Sequence, residues 1–361
     1  MPMTSRERFH ETFRYGQPDR VFMHPQWTFN ETRERWHAEG LPRDVHFNTY
    51  FGFDRFEIAP LNAAPWPGFA SKVVEHGENW DIVEDELGGR LKRWNDREIG
   101  MSQWLTYPVR GREQWEVFKQ RLNASDPTRY PEYWDDYARS VQGRDYPLGI
   151  HGGSFYGWIR NWVGMEYLAL WYMDCPDLIH EMTEYIADFM LKLLERALTS
   201  IPDFDYALLW EDMCYKTGPL ISPQAFRDYM LEPMKRVTNR LREAGIDIIM
   251  VDCDGQIDAL LPLWLEAGVN LHYPLEVASD CDPFKYRELY GKDILLLGAI
   301  DKRIMRDGRT KADVEKEVLS KVPALWKQGG YAPFVDHAVP PDVPLELFQH
   351  YLNLVNEICR S

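Results

Sequence analysis

Two aspartates that flank a cysteine carry the strongest chemical signal in this sequence. Asp252 and Asp254 stand in the stretch "IMVDCDGQIDALLPLWLEAGVN", residues 249–270, where an apolar strand should give way to a helix. Residues two apart on a strand point to the same side, so we expect the two carboxyl groups to lie close together and repel each other. One helix cap does not require two carboxylates. The pattern therefore favours a functional site, while Cys253 should point the opposite way and pack.

Polar side chains also follow the other apolar runs that we predict to be strands. They are His24, Gln26, Asn62, His151, Glu211, Asp212, Tyr273, Glu276, Asp301, Asp336 and His337. A single acid after a strand is commonly the N-cap of the next helix, and we expect this of Asp301 and Asp336. His24 and His151 fit a core position and a site position equally. Several acids around one site would raise each other's pKa unless they share a cation or a proton, and a divalent metal is the simplest remedy.

Eight short apolar runs must position these side chains, and each is followed by a longer amphipathic segment. The runs cover residues 21–27, 54–60, 146–151, 206–210, 247–252, 270–275, 294–301 and 331–337. This alternation predicts parallel strands joined by helices, and eight such units predict an α/β fold, a single (β/α)8 TIM barrel. Catalytic residues of such barrels lie at the carboxyl ends of the strands, where the connecting loops converge.

Local signals add detail to this barrel. Residues 222–245 read as one helix, with Ser222 as N-cap, Pro223 at the first helical position and Gly245 at the end. Residues 72–94 alternate as strands do, with Gly88 and Gly89 at a turn, and predict an antiparallel β-hairpin inserted after the second strand. An N-terminal helical extension precedes the barrel. The length also suits two ordinary domains, but no linker or composition shift divides the chain, so we predict one domain over residues 1–361.

Composition excludes several classes of function. The chain has 57 acidic and 41 basic residues, a formal charge of −16, and no basic run interleaved with aromatics, which argues against nucleic acid as a partner. No apolar run approaches the roughly 18 residues of a membrane span, and the N-terminus lacks the apolar core of a secretory signal, so we expect a cytoplasmic protein. The five cysteines are scattered, which favours reduced thiols over a disulfide framework or a sulfur-only zinc site.

Four longer motifs resemble one known superfamily. The stretches "VDCDGQIDALLPLWLEAGVN", "YGKDILLLGAIDKRIM" and "GGYAPFVDHAVPPDVP" resemble the uroporphyrinogen decarboxylase superfamily, which includes porphyrinogen decarboxylases and the zinc-dependent methyltransferases that serve corrinoid proteins. The stretch "WEDMCYKTGPLISPQAF" is similar to a divergent, decarboxylase-like branch. The likeness covers nearly the whole chain and is most specific over residues 210–344. It implies a single (β/α)8 barrel and a homodimer.

The motif that binds the substrate in the true decarboxylases is altered. Those enzymes carry an arginine-rich "MRQAGRY" after the first strand, and this chain has "MHPQWTF", with His24 and Thr28 where the two arginines would stand. Tyr156 is the nearest substitute for the family's tyrosine, which would fall near Asn161, and His337 is retained. The available cations are Arg160, Lys216, Lys302 and Arg303. A porphyrinogen with many carboxylates is therefore disfavoured.

The zinc motif of the methyltransferases is changed in chemistry but not in spacing. Those enzymes bind zinc through His-x-Cys at the fifth strand and a cysteine at the eighth. The corresponding positions here are Asp252, Asp254 and His337, and Glu276 is a reasonable additional ligand. Zinc accepts carboxylate and imidazole, while an oxygen-rich set also admits other divalent ions. The resemblance thus implies a divalent metal, most simply zinc, at these four residues.

Our leading hypothesis is a metal-dependent methyltransferase. The metal would polarise the oxygen of a small O-methyl substrate, and the methyl group would pass to the cob(I)alamin of a separate corrinoid protein. Glu211 or Asp212 would hold or protonate the departing oxygen, and His151 and Tyr156 would orient the substrate. Further substrate contacts are predicted at His24, Gln26, Trp27, Arg160, Asn161, Lys216 and Tyr273.

Two alternatives stay open. A metal-free decarboxylase, acting on a porphyrinogen or on a smaller acid, would use His337, Tyr156 and Arg160 to stabilise a protonated intermediate. A non-catalytic, ligand-binding barrel would need no such set, and the many polar strand ends argue against it because like charges have no physical reason to stay together in a decayed site.

Overall fold

The computed structural model describes residues 2–95 and 102–360, and its centre is a curled parallel sheet of seven strands. The strands of the described residues are β1 (Glu57–Ile58), β2 (Lys72–His76), β3 (Trp80–Glu84), β4 (Arg90–Trp94), β5 (Gln103–Thr106), β6 (Leu148–Gly153), β7 (Tyr206–Trp210), β8 (Cys214–Tyr215), β9 (Gly218–Pro219), β10 (Ile249–Asp252), β11 (Leu271–Tyr273), β12 (Leu295–Ile300) and β13 (Tyr331–Val335). The parallel sheet has the order β1-β6-β7-β10-β11-β12-β13. Each of these strands falls on or overlaps a run predicted from the sequence, and their neighbours in the sheet are their neighbours in the chain.

Helices separate the parallel strands, as the alternation predicts. The helices of the described residues are α1 (Ser5–Phe13), α2 (Asn30–Ala38), α3 (Phe47–Phe51), α4 (Arg112–Phe118), α5 (Trp134–Ser140), α6 (Gly157–Val163), α7 (Met165–Asp174), α8 (Pro176–Ser200), α9 (Pro223–Tyr229), α10 (Leu231–Glu243), α11 (Leu261–Glu266), α12 (Pro283–Tyr290), α13 (Lys311–Gln328) and α14 (Leu345–Ile358). In the longest, α8, buried Ile186, Met190, Leu193 and Ala197 repeat at helical spacing. That stripe packs the helix against the core.

The segment predicted as one helix over residues 222–245 is two helices. Ser222 is the N-cap of α9, and its Oγ accepts a hydrogen bond from the Ala225 backbone at 3.0 Å, as expected. The helix ends at Tyr229 and α10 begins at Leu231. Pro233 accounts for the break, because a proline has no N–H to donate and its ring clashes with the carbonyl four residues earlier.

Residues 21–27, predicted as the first strand, form no ladder with the sheet. Isolated bridges join Arg20 to Arg360 and Thr28 to Val339 on either side of the segment. Between these bridges the side chain of Gln26 makes the hydrogen bonds that a neighbouring strand's backbone would make. It accepts from the Val335 N–H at 3.1 Å and donates to the His337 carbonyl at 3.1 Å. Pro25 cannot donate a ladder hydrogen bond. Over residues 2–95 and 102–360 the parallel sheet therefore has seven strands and not the eight that we predicted.

The insertion after β1 is larger than the predicted hairpin. Strands β2, β3, β4 and β5 form a four-stranded antiparallel sheet, in that order. The turn between β3 and β4 contains Gly88 at a φ of +89°, and the Asp85 carboxylate accepts from the backbone N–H of Leu87 and Gly89 at 3.1 and 2.8 Å. The sequence signal of Gly88-Gly89 located this turn, while the additional strand at 103–106 was missed.

The N-terminal helix α1 packs against the amino-end side of the sheet. Its Phe9 ring lies 5.3 Å from Phe22 and 5.7 Å from Tyr206, the first residue of β7. From the same helix, Arg6 and His10 contact the buried carboxylate of Asp205 at 2.7 and 2.6 Å. These contacts occupy the amino ends of the strands and leave the carboxyl ends to form a site.

No helix in the described ranges of the chain has the length and apolar character needed to cross a membrane.

Candidate functional site

The carboxyl ends of β7, β10 and β11 lie at one level, which brings the polar residues after them together. Asp252 is in register with Trp210 on one side and with Tyr273 on the other. The Glu211 and Asp212 N–H groups both donate to the Asp252 carbonyl, at 3.0 and 3.4 Å, and the Cys253 N–H donates to the Tyr273 carbonyl at 3.0 Å. Asp252 thus stands at the centre of three adjoining strand ends.

A cavity of about 190 Å³ lies beside Asp252. Its walls are mainly apolar and aromatic, and include Trp27, Phe56, Leu208 and Met250. Among the described residues that line it there is no lysine or arginine. The other carboxylate on its border, Glu57, accepts from Arg55 at 2.6 Å. Asp252, which is 8% exposed, is therefore the carboxyl group without a basic partner at this cavity.

Burial raises the pKa of Asp252 to about 8, and repulsion from Asp254 and Asp212 adds to the rise while His337 opposes it. A carboxyl group with such a pKa holds its proton at neutral pH. It can then donate that proton to a ligand atom in the cavity, as a general acid does.

Asp254 and His337 form a pair at the rim. The His337 Nε2 lies 3.3 Å from the Asp254 Oδ2, and both side chains are more than a third exposed. The hydrogen bond with Asp254 raises the pKa of His337, against the effect of burial. The imidazole is therefore more readily protonated than that of an ordinary histidine.

Glu276 and Asp336 share a lysine. Lys302 Nζ lies 3.1 Å from the Glu276 Oε1 and 3.8 Å from the Asp336 Oδ1. Asp336 is fully buried and accepts from the Val277 and Lys302 backbone N–H groups at 2.9 and 3.0 Å. Burial raises the pKa of Asp336, and Lys302 opposes that rise. Asp336 thus fixes the loops after β11 and β12, whereas we had expected it to cap the helix that follows it. Asp301 does act as an N-cap, because its carboxylate accepts from the Arg303 N–H at 2.9 Å.

The four predicted metal ligands do not fit a single metal site. Both oxygens of Glu276 are engaged, one by Lys302 and the other by the Gly255 N–H at 3.0 Å. His337 is paired with Asp254. Across residues 2–95 and 102–360, no group of three or more His, Cys, Asp or Glu side chains has an arrangement that could hold a metal ion.

Glu211 lies beneath the site. It is fully buried, and its carboxylate accepts from the Phe155 N–H at 2.8 Å and from the Tyr156 N–H at 2.7 Å. Burial raises the pKa of Glu211 to about 7, and these backbone donors oppose the rise. The contacts show that Glu211 holds the turn that begins α6.

Asp212 is held at the carboxyl end of β7 by Arg160. The Arg160 Nη1 donates to the Asp212 carboxylate at 2.8 Å and to its carbonyl at 2.6 Å. Asp212 has a φ of +38°, which an L-residue seldom adopts. The guanidinium thus anchors a turn and neutralises a carboxylate, and it does not line the cavity beside Asp252.

Two of the three predicted site histidines are neutral. Burial lowers the pKa of His24 and of His151 to about 4. The His24 Nδ1 donates to the Pro25 carbonyl at 2.8 Å, which leaves Nε2 as an acceptor. The His151 Nδ1 accepts from the Gly153 N–H at 2.9 Å, so its Nε2 carries the proton. His24 lines the cavity, while His151 stacks on Trp158 at 5.8 Å.

The other predicted contacts divide between the cavity and its surroundings. Trp27 stands at the cavity rim, 55% exposed, with its ring 6.0 Å from that of buried Tyr273. Tyr156 is buried, and burial raises its pKa. Asn161 is half-buried on α6, and Lys216 is exposed in the turn between β8 and β9. Gln26 serves the backbone of β13, as described above.

Part of the cavity wall has no signal as a site in the sequence. Phe56, Leu208 and Met250 line the cavity, whereas the sequence predicts them only as strand residues. Alternation along the strands could have indicated which side chains face inward. Lys302 was noted as an available cation and was not assigned to the site. Cys253 is buried and its Sγ accepts from the Met213 N–H at 3.3 Å, which agrees with the packing role that we expected.

Comparison with known proteins places the chain in a family. A family model described as Uroporphyrinogen decarboxylase (URO-D) matches residues 160–358. The chain belongs to the uroporphyrinogen decarboxylase family. The resemblance inferred from the sequence motifs is thereby confirmed.

Relatives of this URO-D family member are distant. Two uroporphyrinogen decarboxylases of Legionella pneumophila, from strain Corby and strain Philadelphia 1, are each 22% identical over 181 residues, which are 50% of this chain and 47% of theirs. The chain thus spans about half the length of the curated relatives it matches. A solved structure of a methyltransferase from Methanosarcina mazei is 12% identical with a TM-score of 0.58, covering 98% of this chain and 99% of that one. That likeness shows a shared fold.

Proposed function

We propose that this URO-D family member transfers a methyl group from a small, neutral methyl ether to the cobalt of a corrinoid held by a separate protein. The observation that carries the proposal is Asp252, a buried carboxyl group that holds its proton near neutral pH at the wall of an apolar cavity. An acid placed in this way suits a reaction whose leaving group is an oxygen in need of a proton. The corrinoid partner enters from the family resemblance.

The size and lining of the cavity indicate the substrate class. A dry cavity of about 150 Å³ holds a benzene molecule, and this cavity has about 190 Å³. It suits a molecule of about one aromatic ring. Its described lining offers no lysine or arginine to a substrate carboxylate, which disfavours both a porphyrinogen and a small carboxylic acid.

The reaction needs both a methyl acceptor and a proton donor. A reduced corrinoid, when bound by its partner protein, would supply the electron pair for the new bond to the methyl carbon, and the pair of the broken carbon–oxygen bond would stay on the oxygen. Asp252 gives its proton to that oxygen, so that a neutral alcohol leaves. Trp27 and Tyr273 hold the apolar body of the substrate, and the neutral His24 adds an acceptor without adding charge.

We propose that residues 21–27 take the place of the eighth strand in a single barrel domain over residues 1–361. We also propose structural roles in place of the catalytic roles predicted from the sequence. The turns around the cavity are fixed by Glu211, Asp212, His151 and Tyr156. A homodimer, implied by the resemblance, stays a prediction.

The test is methyl transfer from a neutral methoxyarene to free cob(I)alamin, followed by the absorbance of methylcobalamin. We expect turnover by the wild type, a loss with Asp252→Asn, and no loss with Asp228→Asn, an exposed aspartate on α9 that serves as a matched control. Equal rates for wild type and Asp252→Asn would contradict the assignment of Asp252.

The family match favours decarboxylation of an acid as the second candidate function, since the relatives described above are named uroporphyrinogen decarboxylases. A protonated Asp252 could deliver its proton to a carbanion as well as to an oxygen. Release of CO₂ from a small acid or a porphyrinogen, without any methyl acceptor, would establish this candidate instead. Tight binding of ligands with neither reaction would indicate a non-catalytic barrel.

A further inference from the structure

We propose that the ammonium group of Lys302 is the resident cation of this site, in the position where a divalent metal would otherwise be needed, and that the protein acts without a bound metal ion. The inference concerns the charge balance of the site and holds whichever reaction the site performs. It replaces the metal prediction that we made from the sequence.

The contacts of Glu276 are the first step of the argument. Its Oε1 faces Lys302 Nζ at 3.1 Å, and its Oε2 accepts from the Gly255 N–H at 3.0 Å and the Ser279 Oγ at 3.2 Å. Both oxygens therefore already have donors. A metal bound at Glu276 would have to displace Lys302 and would then lie beside a largely buried ammonium group, a like-charge contact that costs free energy.

Lys302 also links neighbouring strand ends, as a bound metal ion would. Its Nζ lies near the carboxylates of Glu276 after β11 and Asp336 after β13, and Lys302 itself follows β12. One cation thus joins the ends of three neighbouring strands. The Lys302 backbone N–H donates to Asp336 as well, at 3.0 Å, so the lysine is fixed at both its ends.

Two other acids of the site, Asp212 and Asp254, have basic partners of their own. Arg160 lies 2.8 Å from Asp212, and His337 lies 3.3 Å from Asp254. Asp252 lies apart from these pairs, beside the apolar cavity. At Asp212, Asp254, Glu276 and Asp336 the crowding of like charges that led us to expect a metal is therefore relieved by basic side chains of the chain itself.

The experiment measures metal binding by the full chain directly. Protein purified without chelator is analysed for metal content and is then titrated calorimetrically with Zn²⁺ and with Mn²⁺. We expect no stoichiometric ion in the wild type and none in Lys302→Arg, which keeps a cation at this position. One bound ion per chain in the wild type, lost when Asp254→Asn is combined with His337→Gln, would overturn the inference.

Removal of the cation gives the second arm of the test. Lys302→Met leaves Glu276 and Asp336 without their shared partner, so we expect a lower Tm that Zn²⁺ or Mn²⁺ partly restores. Lys327→Met, at an exposed lysine on α13, should leave both the Tm and its response to metal unchanged. A Tm for Lys302→Met equal to that of the wild type would also overturn the inference. If Lys302→Met does not fold, the wild type and Lys302→Arg still decide the question. Because metal binding is measured without turnover, failure of the proposed methyl transfer would not be mistaken for failure here.

Discussion

The His337 imidazole and the Asp254 carboxylate meet at 3.3 Å although their strands, β13 and β10, are separated by two others in the sheet. Neighbouring strands lie roughly 4.8 Å apart, so a flat sheet would hold these two about 14 Å apart. The contact requires the sheet to curl, so that the ends of distant strands face a common centre. That curl is what turns a row of polar strand ends into one site.

Asp252 should control the pH dependence of the reaction. Because its pKa is raised to about 8, the carboxyl group donates a proton below that pH, and activity should fall as the pH rises through about 8. Asp252→Asn should lower kcat by about 10²- to 10⁴-fold, the usual contribution of a general acid. The measurement is kcat against pH for the wild type and Asp228→Asn. A profile that stays level through this range would contradict the role.

The same carboxyl group should make stability depend on pH. Between the ordinary pKa of 3.8 and the folded value of about 8, the folded chain holds one proton more than the unfolded chain. The free energy of unfolding should therefore fall as pH rises across this window, by up to about 1.4 kcal/mol per pH unit. Urea unfolding of the wild type and Asp252→Asn at several pH values checks this. The difference between the two proteins should change with pH, and a constant difference would count against a buried, protonated Asp252.

The effect of Asp205, at the amino end of the sheet, on stability should depend on pH in the opposite sense to that of Asp252. Burial would raise the pKa of Asp205, but hydrogen bonds from His10, the Leu148 N–H and Arg144 together lower it to about 2. Its stabilising effect is present above pH 3.8 and is lost as the pH falls toward 2. Arg144→Met should cost about 3–5 kcal/mol, because it leaves a buried carboxylate short of a partner. Arg139→Met, at an exposed arginine on α5, is the control for denaturant unfolding, and equal losses would contradict the prediction.

Gly255 should be required for the turn that carries Asp252 and Asp254. Its φ is +85°, and a Cβ there would lie 2.7 Å from the Cys214 carbonyl carbon. Gly245 has a similar φ of +88° but open space around it, which makes it a matched control. Gly245→Ala should cost only the backbone strain of about 1–2 kcal/mol. Gly255→Ala should cost clearly more and should also reduce turnover. Similar Tm values for the two variants would show that the close contact is relieved at no cost.

Gln26 should hold residues 21–27 against β13. Gln26→Leu removes an acceptor for the Val335 N–H and a donor to the His337 carbonyl, and a buried polar group left without a partner costs about 1–3 kcal/mol. Gln26→Glu keeps the acceptor and loses only the donor. We expect faster amide exchange at Val335 in Gln26→Leu than in Gln26→Glu. Unchanged protection in both variants would mean that other contacts hold the segment.

Much of the fold could be predicted from local pattern. The apolar runs that became β7, β10, β12 and β13 are continuous and bounded by polar residues, and the N-cap at Ser222 has the residue type that its hydrogen bond requires. Two predictions failed where a proline opposed another local signal. Hydrophobic periodicity predicts one helix over residues 222–245, which Pro233 divides into two. The apolar run over residues 21–27 predicts a strand, but Pro25 lies within it.

Seven strands of the parallel sheet, the residue types at their ends and the likeness to the family can be read from the sequence, because they depend on neighbours along the chain. Which acid meets which cation depends on the folded structure. Lys302 and Glu276 are 26 residues apart, and Arg160 and Asp212 are 52 apart. Their distances in space depend on how the sheet curls. The raised pKa of Asp252 depends on the fold in the same way, since its main cause is burial beside an apolar cavity whose walls come from separate strands.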